Sequence, residues 1–389
     1  MPHDSPNANT NWPLVIGILG GGQLALMLAR SASQLGMRVH VLDPSPTCPA
    51  KGAAAEHTLG SWSDPEALLA FAQKVDVITV ENEFVEADKL AALERQGHTV
   101  LPSSETMRLV QDKLVQKQML GRFGIPVVDF MPVADEDELQ TAVSTFGFPF
   151  VLKKRTLGYD GTGNFTVSEP ADLQAGVNKL GGFAAGLYAE KWCPFTMELA
   201  VIVTRNTTGT TAIYPVVESR QHNHVCSSVL VPAAITPEQA NAAYKMAVGA
   251  VEAVNGVGSF GIELFMLEDG TLRLNEMAPR VHNSGHYTLE ACDCSQFENH
   301  LRAVCGLPLG SVALRSGAAM VNILAEKSGK GSPVGLADAM AVPGACLHFY
   351  GKLRAEPRRK MGHVTALGET PLAALATAEL AAGHIRFED

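Results

Sequence analysis

The sequence is poor in paired cysteines, in positive charge and in long apolar runs. Its seven cysteines (48, 193, 226, 292, 294, 305 and 346) are odd in number and contain no CxxC pair, which argues against a disulfide framework and fits a reducing compartment. Thirty basic residues face 40 acidic ones, a formal net charge of −10, so the surface as a whole repels nucleic acid and anionic membrane. Any bound anion must find a local basic site. The most apolar early stretch, Val15 to Ala29, carries the glycine triplet 20–22 and Gln23 and is too short to span a bilayer. Residues 1–13 are polar and lack the basic start of a secretory leader; they read as a disordered tail on a cytoplasmic protein.

Core material is plentiful. Of 389 residues, 46% are hydrophobic, and at about 150 residues per domain the length predicts two to three domains. Thirty-six glycines and 22 prolines imply many tight turns rather than a helical array. The first hundred residues alternate strand and helix: VIGILG, then helical spacing in QLALMLARSASQLG, then VHVLD. After a variable loop come a helix through PEALLAFAQKV, capped by Ser63 or Asp64, a third strand in DVITVENE and a fourth in TVLPSS. This alternation predicts an α/β fold with a parallel, doubly wound sheet whose ligand crevice lies beyond the carboxyl ends of its strands. The stretch from Ser104 to Gly121 is helical and Lys/Gln-rich, and GIPVVDFMPV follows as a turn and strand, which places a boundary near residues 105 to 125. The next unit, to residue 306, holds strands at FPFVLKKRT, GLYAEKW and TMELAVIVTR, the helix EQANAAYKMAVGAVEAV and the strand pair FGIELFMLEDGTLRLNEMAP. Residues 307–389 read as a small β-rich unit ending in an alanine-rich helix.

Gly20, Gly22 and Ala25 fit the G-x-G-x-x-A dinucleotide pattern after a strand, with Asp43 about 20 residues further on. Such glycines let a backbone approach a ligand and aim helix N-terminal amides at an anion, a geometry open to any nucleotide or phosphate as well as to a nicotinamide cofactor. GYDGTGN (158–164) follows Lys153, Lys154 and Arg155, a combination suited to a mobile cover over phosphates. It lacks the G-K-[ST] end of a Walker loop, and an ordinary hairpin with basic flanks is the alternative. Glu263 and Glu276 each lie six residues out from the Asp269-Gly270 turn, so antiparallel pairing sets them opposite each other. Two carboxylates so placed repel unless a cation sits between them, and hard oxygen ligands, with nucleotide phosphates completing the shell, favour Mg²⁺. Asn275 can add an oxygen. A solvated hairpin would need no metal, but the apolar GIELFM setting makes an unpaired Glu263 costly.

APRVHNSGH (278–286) crowds Arg280, His282, Asn283, Ser284 and His286 into one loop. Its histidines are four apart, yet Pro279, Gly285 and the lack of an HExxH pattern argue against zinc; His222 and His224 read as exposed. Lys352, Arg354, Arg358, Arg359 and Lys360 form a basic cluster suited to a phosphate or to a solvated hairpin.

Taken in order, GGGQL, TVENE, QDKLVQKQML, VLKKRTLGYDGTG, AEKWCPFTMELAVIV, GIELF and NEMAPRVHNSGH closely resemble the 5-(carboxyamino)imidazole ribonucleotide synthase family of biotin-independent ATP-grasp enzymes in purine biosynthesis, over residues 14–385. The resemblance implies a Rossmann-like pre-ATP-grasp domain at 14–105, an ATP-grasp domain at 106–306, a C-terminal domain at 307–389 and a homodimer. It also implies ATP-dependent carboxylation of 5-aminoimidazole ribonucleotide by bicarbonate through carboxyphosphate, with ATP and Mg²⁺ and without biotin. By motif, Lys113 and Lys153 would contact the nucleotide phosphates, covered by Gly158, Tyr159, Asp160, Gly161, Thr162, Gly163 and Asn164. Glu190, Lys191, Trp192 and Cys193 would read adenine through backbone groups, and Glu198 would hold the ribose. Glu263 and Glu276 would be the Mg²⁺ ligands, with Asn275 beside the phosphates. Arg280 would orient bicarbonate or carboxyphosphate in a pocket lined by His282 and Asn283. Gly22, Gln23, Leu24 and Glu81 would approach the ribonucleotide, whose 5′-phosphate would go to Lys352 and Arg359, and the first helix's amides would serve that mononucleotide. Arg155, Tyr159 and Asp160 would face both ligands, Asp160 accepting the amine proton. Gln221 departs from the histidine that many members carry at a nucleotide-contacting position.

Overall fold

A computed structural model describes residues 12–158, 163–222 and 225–388; residues 1–11 of the expected tail lie outside them. In the N-terminal part, strand Val15–Leu19 is central in a four-stranded parallel sheet, flanked by Arg38–Asp43 and then Glu56–Leu59 on one side and by Val77–Val80 on the other. Ile16, Ile18 and Leu19 have no exposed surface, because crossover helices cover a parallel sheet from both sides. Helix Gln23–Gln34 packs one face, helices Pro65–Ala72 and Ala87–Arg95 the other. Asp64 caps Pro65–Ala72 by accepting the amides of Glu66 and Ala67.

Three details depart from the sequence expectation. The variable loop contains the strand Glu56–Leu59, which lies at the sheet edge and so needs no apolar run to hold it. TVLPSS contributes a single parallel bridge, Val100 to Ile78, rather than a fourth strand; Pro102 has no amide with which to extend the ladder. The helical stretch after Ser103 is also two helices, Ser104–Gln111 and Lys113–Arg122, divided by Asp112, whose carboxylate accepts the amides of Leu114 and Val115.

Two antiparallel sheets follow. The smaller is ordered Phe130–Val133, Leu187–Lys191, Phe150–Lys154, Asn164–Val167. Helices Glu136–Phe146 and Asp172–Lys179 cover the face that carries Phe150, Leu152 and Ala189, which by alternation leaves Val151, Lys153 and Glu190 on the opposite face. The larger sheet has nine strands, eight along one path and Thr211–Ile213 paired beside Phe195–Arg205. Leu272–Ala278, Gly258–Leu267 and Phe195–Arg205 form one end, and Val217–His222 and Val225–Val231 form the middle. Gly317–Leu324, Lys360–Gly368 and Ala345–Phe349 complete the path, so the long strands after residue 306 extend this sheet instead of building their own. Helix Pro237–Ala253 seals one face with Ala243, Ala247, Ala250 and Val251, a helical stripe started by a Thr236/Gln239 capping box.

Candidate active site

The chemistry-bearing residues gather where the two antiparallel sheets and the N-terminal sheet converge. On the hairpin Gly258–Leu267/Leu272–Ala278, Glu263 does stand opposite Glu276, by a route the turn arithmetic did not foresee. The loop has three residues, 268–270, closed by Leu267 N donating to Thr271 O at 2.9 Å and carried by Gly270 at φ +79°. That register alone would set Glu263 against Asn275. A bulge between Glu263 and Leu264 adds one residue and restores Glu276. A regular pleat would send Asn275 and Glu276 to opposite faces; the bulge lets both serve one pocket. Asn275 Nδ2 donates to Glu263 Oε2 at 3.4 Å, while its buried Oδ1 has no partner.

The charges around this pair are unbalanced. Lys113 Nζ lies 3.1 Å from Glu276 Oε2. Burial raises the Glu276 carboxyl, but the charges of Lys113 and Lys153 outweigh it and hold the group below the usual range. Glu263 has less help: burial, then repulsion from Glu276 and Glu198, outweighs Lys113 and Lys360 and pushes it up to about 8. His282 Nε2 is 3.6 Å from Glu263 Oε1, yet burial and the charges of Arg280 and Lys360 drive that imidazole down to about 3, so at neutral pH the contact is not an ion pair. Two opposed carboxylates and an unpartnered amide oxygen are a hard-oxygen donor set, which fits Mg²⁺. No group of three His, Cys, Asp or Glu that could hold a metal occurs among the described residues, so an ion here would take its remaining ligands from phosphate and water.

Facing the hairpin, the smaller sheet supplies Lys153 and Glu190. Glu190, 2% exposed, lies 2.7 Å from Lys153 Nζ and 2.9 Å from Lys117 Nζ, and Tyr188 donates to it at 3.1 Å. Against the cost of burial, the two ammonium groups hold Glu190 at about 2. Lys117 is likewise pushed down, by burial and by Lys153, despite Glu190. Both shifts run downward for a shared reason: two ammonium groups around one carboxylate favour the ionised carboxylate and disfavour the charged form of Lys117. Residues 192–194 join this sheet to the larger one, with Trp192 exposed and Cys193 half-buried. Lys191 Nζ is 3.8 Å from Asp129. Glu198 is raised by burial, against which Gln221 acts, so that departure from the family pattern lies beside the expected ribose carboxylate; Gln221 Nε2 itself donates to Ser219 Oγ at 3.4 Å.

At the N-terminal corner, the amides expected to serve a mononucleotide are already engaged. Gly22 N and Ala25 N donate to the Glu81 carboxylate at 2.7 and 3.1 Å, and Gly21 N donates to Asp43 Oδ2 at 2.7 Å. The protein's own carboxylates fill the anion position at the helix N-terminus. Glycine is needed there because a Cβ on Gly22 would overlap Glu81, and one on Gly20, at φ +99°, would press on Asn82. Burial raises the Glu81 carboxyl above its ordinary range in spite of these amides.

Other expected residues are placed as follows. Arg155 is bound by both oxygens of Asp112, at 2.6 to 3.2 Å. Asn283 exchanges two amide hydrogen bonds with Asn322, at 3.0 and 2.7 Å. His286 is fully buried against Phe297, Tyr350 and His363. Lys352 Nζ donates to Lys360 O at 2.7 Å and lies over the Tyr350 ring; Arg359 is exposed and donates to Arg354 O. Gln23 and Leu24 open the first helix. Gly158, Gly163 and Asn164 frame the glycine-rich loop, whose Tyr159, Asp160, Gly161 and Thr162 lie outside the described residues, as does His224.

Three residues escaped the sequence reading. Lys117 follows Lys113 by four, one helical turn along the same face, and that spacing could have found it. Lys360 ended the basic cluster but was not separated from it; its charge acts on Glu263 and His282. Glu83 follows Glu81 by two in TVENE and pairs with Arg280 through both oxygens, at 2.9 and 3.0 Å.

Comparisons with known proteins show what the chain is similar to. Residues 14–111 match the ribonucleotide synthetase preATP-grasp domain, 118–297 the ATP-grasp domain, and 318–377 the phosphoribosylaminoimidazole carboxylase C-terminal domain. Fold and site together define an ATP-grasp protein. N5-carboxyaminoimidazole ribonucleotide synthase of Synechococcus elongatus is 44% identical over 352 residues, 90% of this chain and 88% of its own. The chain belongs to the N5-carboxyaminoimidazole ribonucleotide synthase family. Phosphoribosylaminoimidazole carboxylase of Vigna aconitifolia is 42% identical over 92% of this chain; the chain spans 65% of that relative's length. Among solved structures, N5-carboxyaminoimidazole ribonucleotide synthetase from Thermotoga maritima matches with TM-score 0.86 and 41% identity, covering 96% of this chain and 99% of its own. The Aspergillus clavatus synthase in complex with ADP and 5-aminoimidazole ribonucleotide matches with TM-score 0.86 and 36% identity, covering 95% of this chain and 97% of its own. No helix among the described residues is long and apolar enough to cross a membrane.

Proposed function

We propose that the chain is an ATP-dependent carbon–nitrogen ligase that carboxylates the amine of 5-aminoimidazole ribonucleotide with bicarbonate, forming the N5-carboxylated ribonucleotide, ADP and phosphate in purine biosynthesis. One observation carries the reading: the opposed Glu263 and Glu276, with the bulged Asn275 beside them, lie against Lys113 of the helix Lys113–Arg122 and within the field of Lys153 on the smaller sheet. The family relationship and the ribonucleotide complex of a relative support the acceptor.

Bicarbonate is a poor electrophile. An oxygen of bicarbonate attacks the γ-phosphorus of ATP, the bond from that phosphorus to the β-phosphate oxygen breaks, and ADP leaves with the electron pair. Carboxyphosphate results. The ribonucleotide amine then attacks its carbonyl carbon, inorganic phosphate departs, and the amine proton passes to Asp160. Such transfer depends mainly on positioning and charge neutralisation. Lys113 and Lys153 hold the phosphates, Glu190 through Cys193 read adenine, and Glu198 with Gln221 holds the ribose. A Mg²⁺ ion held by Glu263, Glu276 and the Asn275 oxygen would supply further charge neutralisation at the phosphates. Arg280 orients bicarbonate beside His282 and Asn283, and Lys360 adds positive potential. The segment 158–164 excludes water, which would otherwise hydrolyse the mixed anhydride. Gln23 and Glu81 approach the aminoimidazole and ribose, Arg155 moves off Asp112 to face both ligands, and Lys352 and Arg359 take the 5′-phosphate. The enzyme works without biotin, as a cytoplasmic homodimer.

The test is ADP release from ATP and Mg²⁺ with bicarbonate, with and without 5-aminoimidazole ribonucleotide. Stimulation by the ribonucleotide that also requires bicarbonate is expected. Stimulation only by formate with glycinamide ribonucleotide would move the chain to a different acceptor.

A further inference from the structure

We propose that Glu83 is a positioning residue for this reaction: it fixes the Arg280 guanidinium in the pocket and ties that placement to the loop that also closes on the first helix. The inference rests on the reading of Arg280 as the bicarbonate residue. It gives a role to a residue of TVENE to which that reading assigns none.

The argument begins with the fork geometry of arginine. Nε and Nη2 of Arg280 meet the two oxygens of Glu83 at 3.0 and 2.9 Å, and Nη1 donates to Val281 O at 3.2 Å. A guanidinium has five N–H donors in a rigid plane, so this pairing occupies one edge and leaves donors on the other for an anion. Both side chains are about one-fifth exposed, at 19% and 21%, and 197 residues separate them in sequence. This is a partly buried, two-point contact between the N-terminal part and the large sheet, unlike a surface pair that is worth little.

Arg280 has a competing partner. Glu276 is four residues back on the same strand end, and its charge already acts on Arg280. An arginine free to swing would pair with Glu276, lose its anion and neutralise a carboxylate the cation needs. Glu83 prevents that collapse because it stands on the opposite wall. Burial raises the Glu83 carboxyl, but Arg280 and then Lys113 outweigh burial and keep it below its usual range, so the brace stays charged at neutral pH.

Glu83 is itself held. Gln111 donates its side-chain amide to Glu83 O at 3.1 Å and to Val85 O. Two residues earlier, Glu81 accepts the amides of Gly22 and Ala25. The segment 81–83 therefore runs from the ribonucleotide corner to the bicarbonate arginine, and a shift at one end is felt at the other. Arginine alignment then depends on the corner that receives the acceptor, so ATP is committed only when an acceptor is present.

The test compares wild type, E83Q, E83D, R280K and the double variant E83Q/R280K. ADP release and ribonucleotide carboxylation are measured against bicarbonate and, separately, against ATP, with the melting temperature of each protein. E83Q is expected to raise KM for bicarbonate about tenfold, leave KM for ATP within about twofold, and release more than one ADP per ribonucleotide carboxylated. E83D, which keeps the charge but shortens the reach, should fall between. The double variant should be little worse than R280K, since both act through one contact. If R280K raises KM for bicarbonate and E83Q does not, Glu83 is only a bridge between domains and the inference is overturned. If E83Q and E83D raise both KM values together with a lower melting temperature, it is overturned as well. If R280K itself leaves bicarbonate unaffected, the failure lies in the reading of Arg280.

Discussion

Around the glycine triplet, folding has already satisfied the polar groups: Asp43 and Glu81 take the amides of Gly21, Gly22 and Ala25. At the bulged hairpin the opposite holds. Glu263 keeps its proton up to about 8, Asn275 Oδ1 has no partner, and Lys117 and Lys153 share the single carboxylate of Glu190. Both corners are rich in carboxylates and lie on strand ends, yet in one the carboxylates are hydrogen-bonded by backbone amides and in the other charge is unmatched on each wall. Ligand sites are found where folding leaves charge and hydrogen-bonding capacity uncompensated. The glycine motif, for all its likeness to a dinucleotide fingerprint, spends its amides on the protein's own carboxylates, so a ligand at this corner would meet Glu81 rather than the helix N-terminus.

The hardest test of that contrast removes a carboxylate from the unbalanced corner. Glu276→Gln should lower ribonucleotide-dependent ADP release by roughly 10³-fold, with an unchanged circular dichroism spectrum. Turnover near the wild-type rate would show that the opposed pair holds no cation.

A second test asks whether the lysine wall is structural. Lys117, 1% exposed, donates to Asn275 O at 3.0 Å as well as pairing with Glu190. Lys117→Met should cost about 3–5 kcal/mol in urea denaturation, the cost of breaking a buried pair. The same carboxylate supplies a pH signature. Its folded value of about 2 lies below its ordinary 4.5, so the stabilisation is complete above 4.5 and is lost as pH falls towards 2. Wild-type stability should decline across that window, and Glu190→Gln should flatten the decline.

The third test uses Glu263 directly. Below about 8 this group must release a proton to ligate a cation, so Mg²⁺ affinity measured by calorimetry should rise up to about tenfold per pH unit and level off above that value. Glu263→Gln should bind weakly at every pH, and a pH-independent wild type would refute the donor assignment.

The smallest effect is expected at the satisfied corner. Gly22→Ala drives a methyl group into Glu81 and should cost about 1–3 kcal/mol through the displaced carboxylate. KM for the ribonucleotide should rise while KM for ATP stays put. An equal rise in both would mean the two corners are not separable.

Part of this was legible without coordinates. The buried strand Val15–Leu19 and the stripe of helix Pro237–Ala253 announce themselves through apolar spacing. The loop APRVHNSGH and the carboxylates of the hairpin stand out as polar chemistry in apolar surroundings. The strand Glu56–Leu59 did not stand out, because an edge strand with solvent on its sides carries no periodic apolar signal. The pairing of Glu263 with Glu276 was anticipated from a two-residue turn, whereas a three-residue loop and a compensating bulge produce it. Two departures of one residue each cancelled.

The sequence alone therefore determined the local elements, the α/β character and the kinds of chemistry present, because helix and strand periodicity and the polarity of a side chain are properties of neighbouring residues. Tertiary structure decided which of those groups are spent and which are available. Glu81 turned inward to the first helix, Glu83 met Arg280 across 197 residues, Lys117 was buried under Asn275, and the strands after residue 306 joined the nine-stranded sheet. Each of these depends on register, bulges and burial accumulated over long stretches of chain, and a one-residue shift in any of them would exchange a satisfied group for a reactive one.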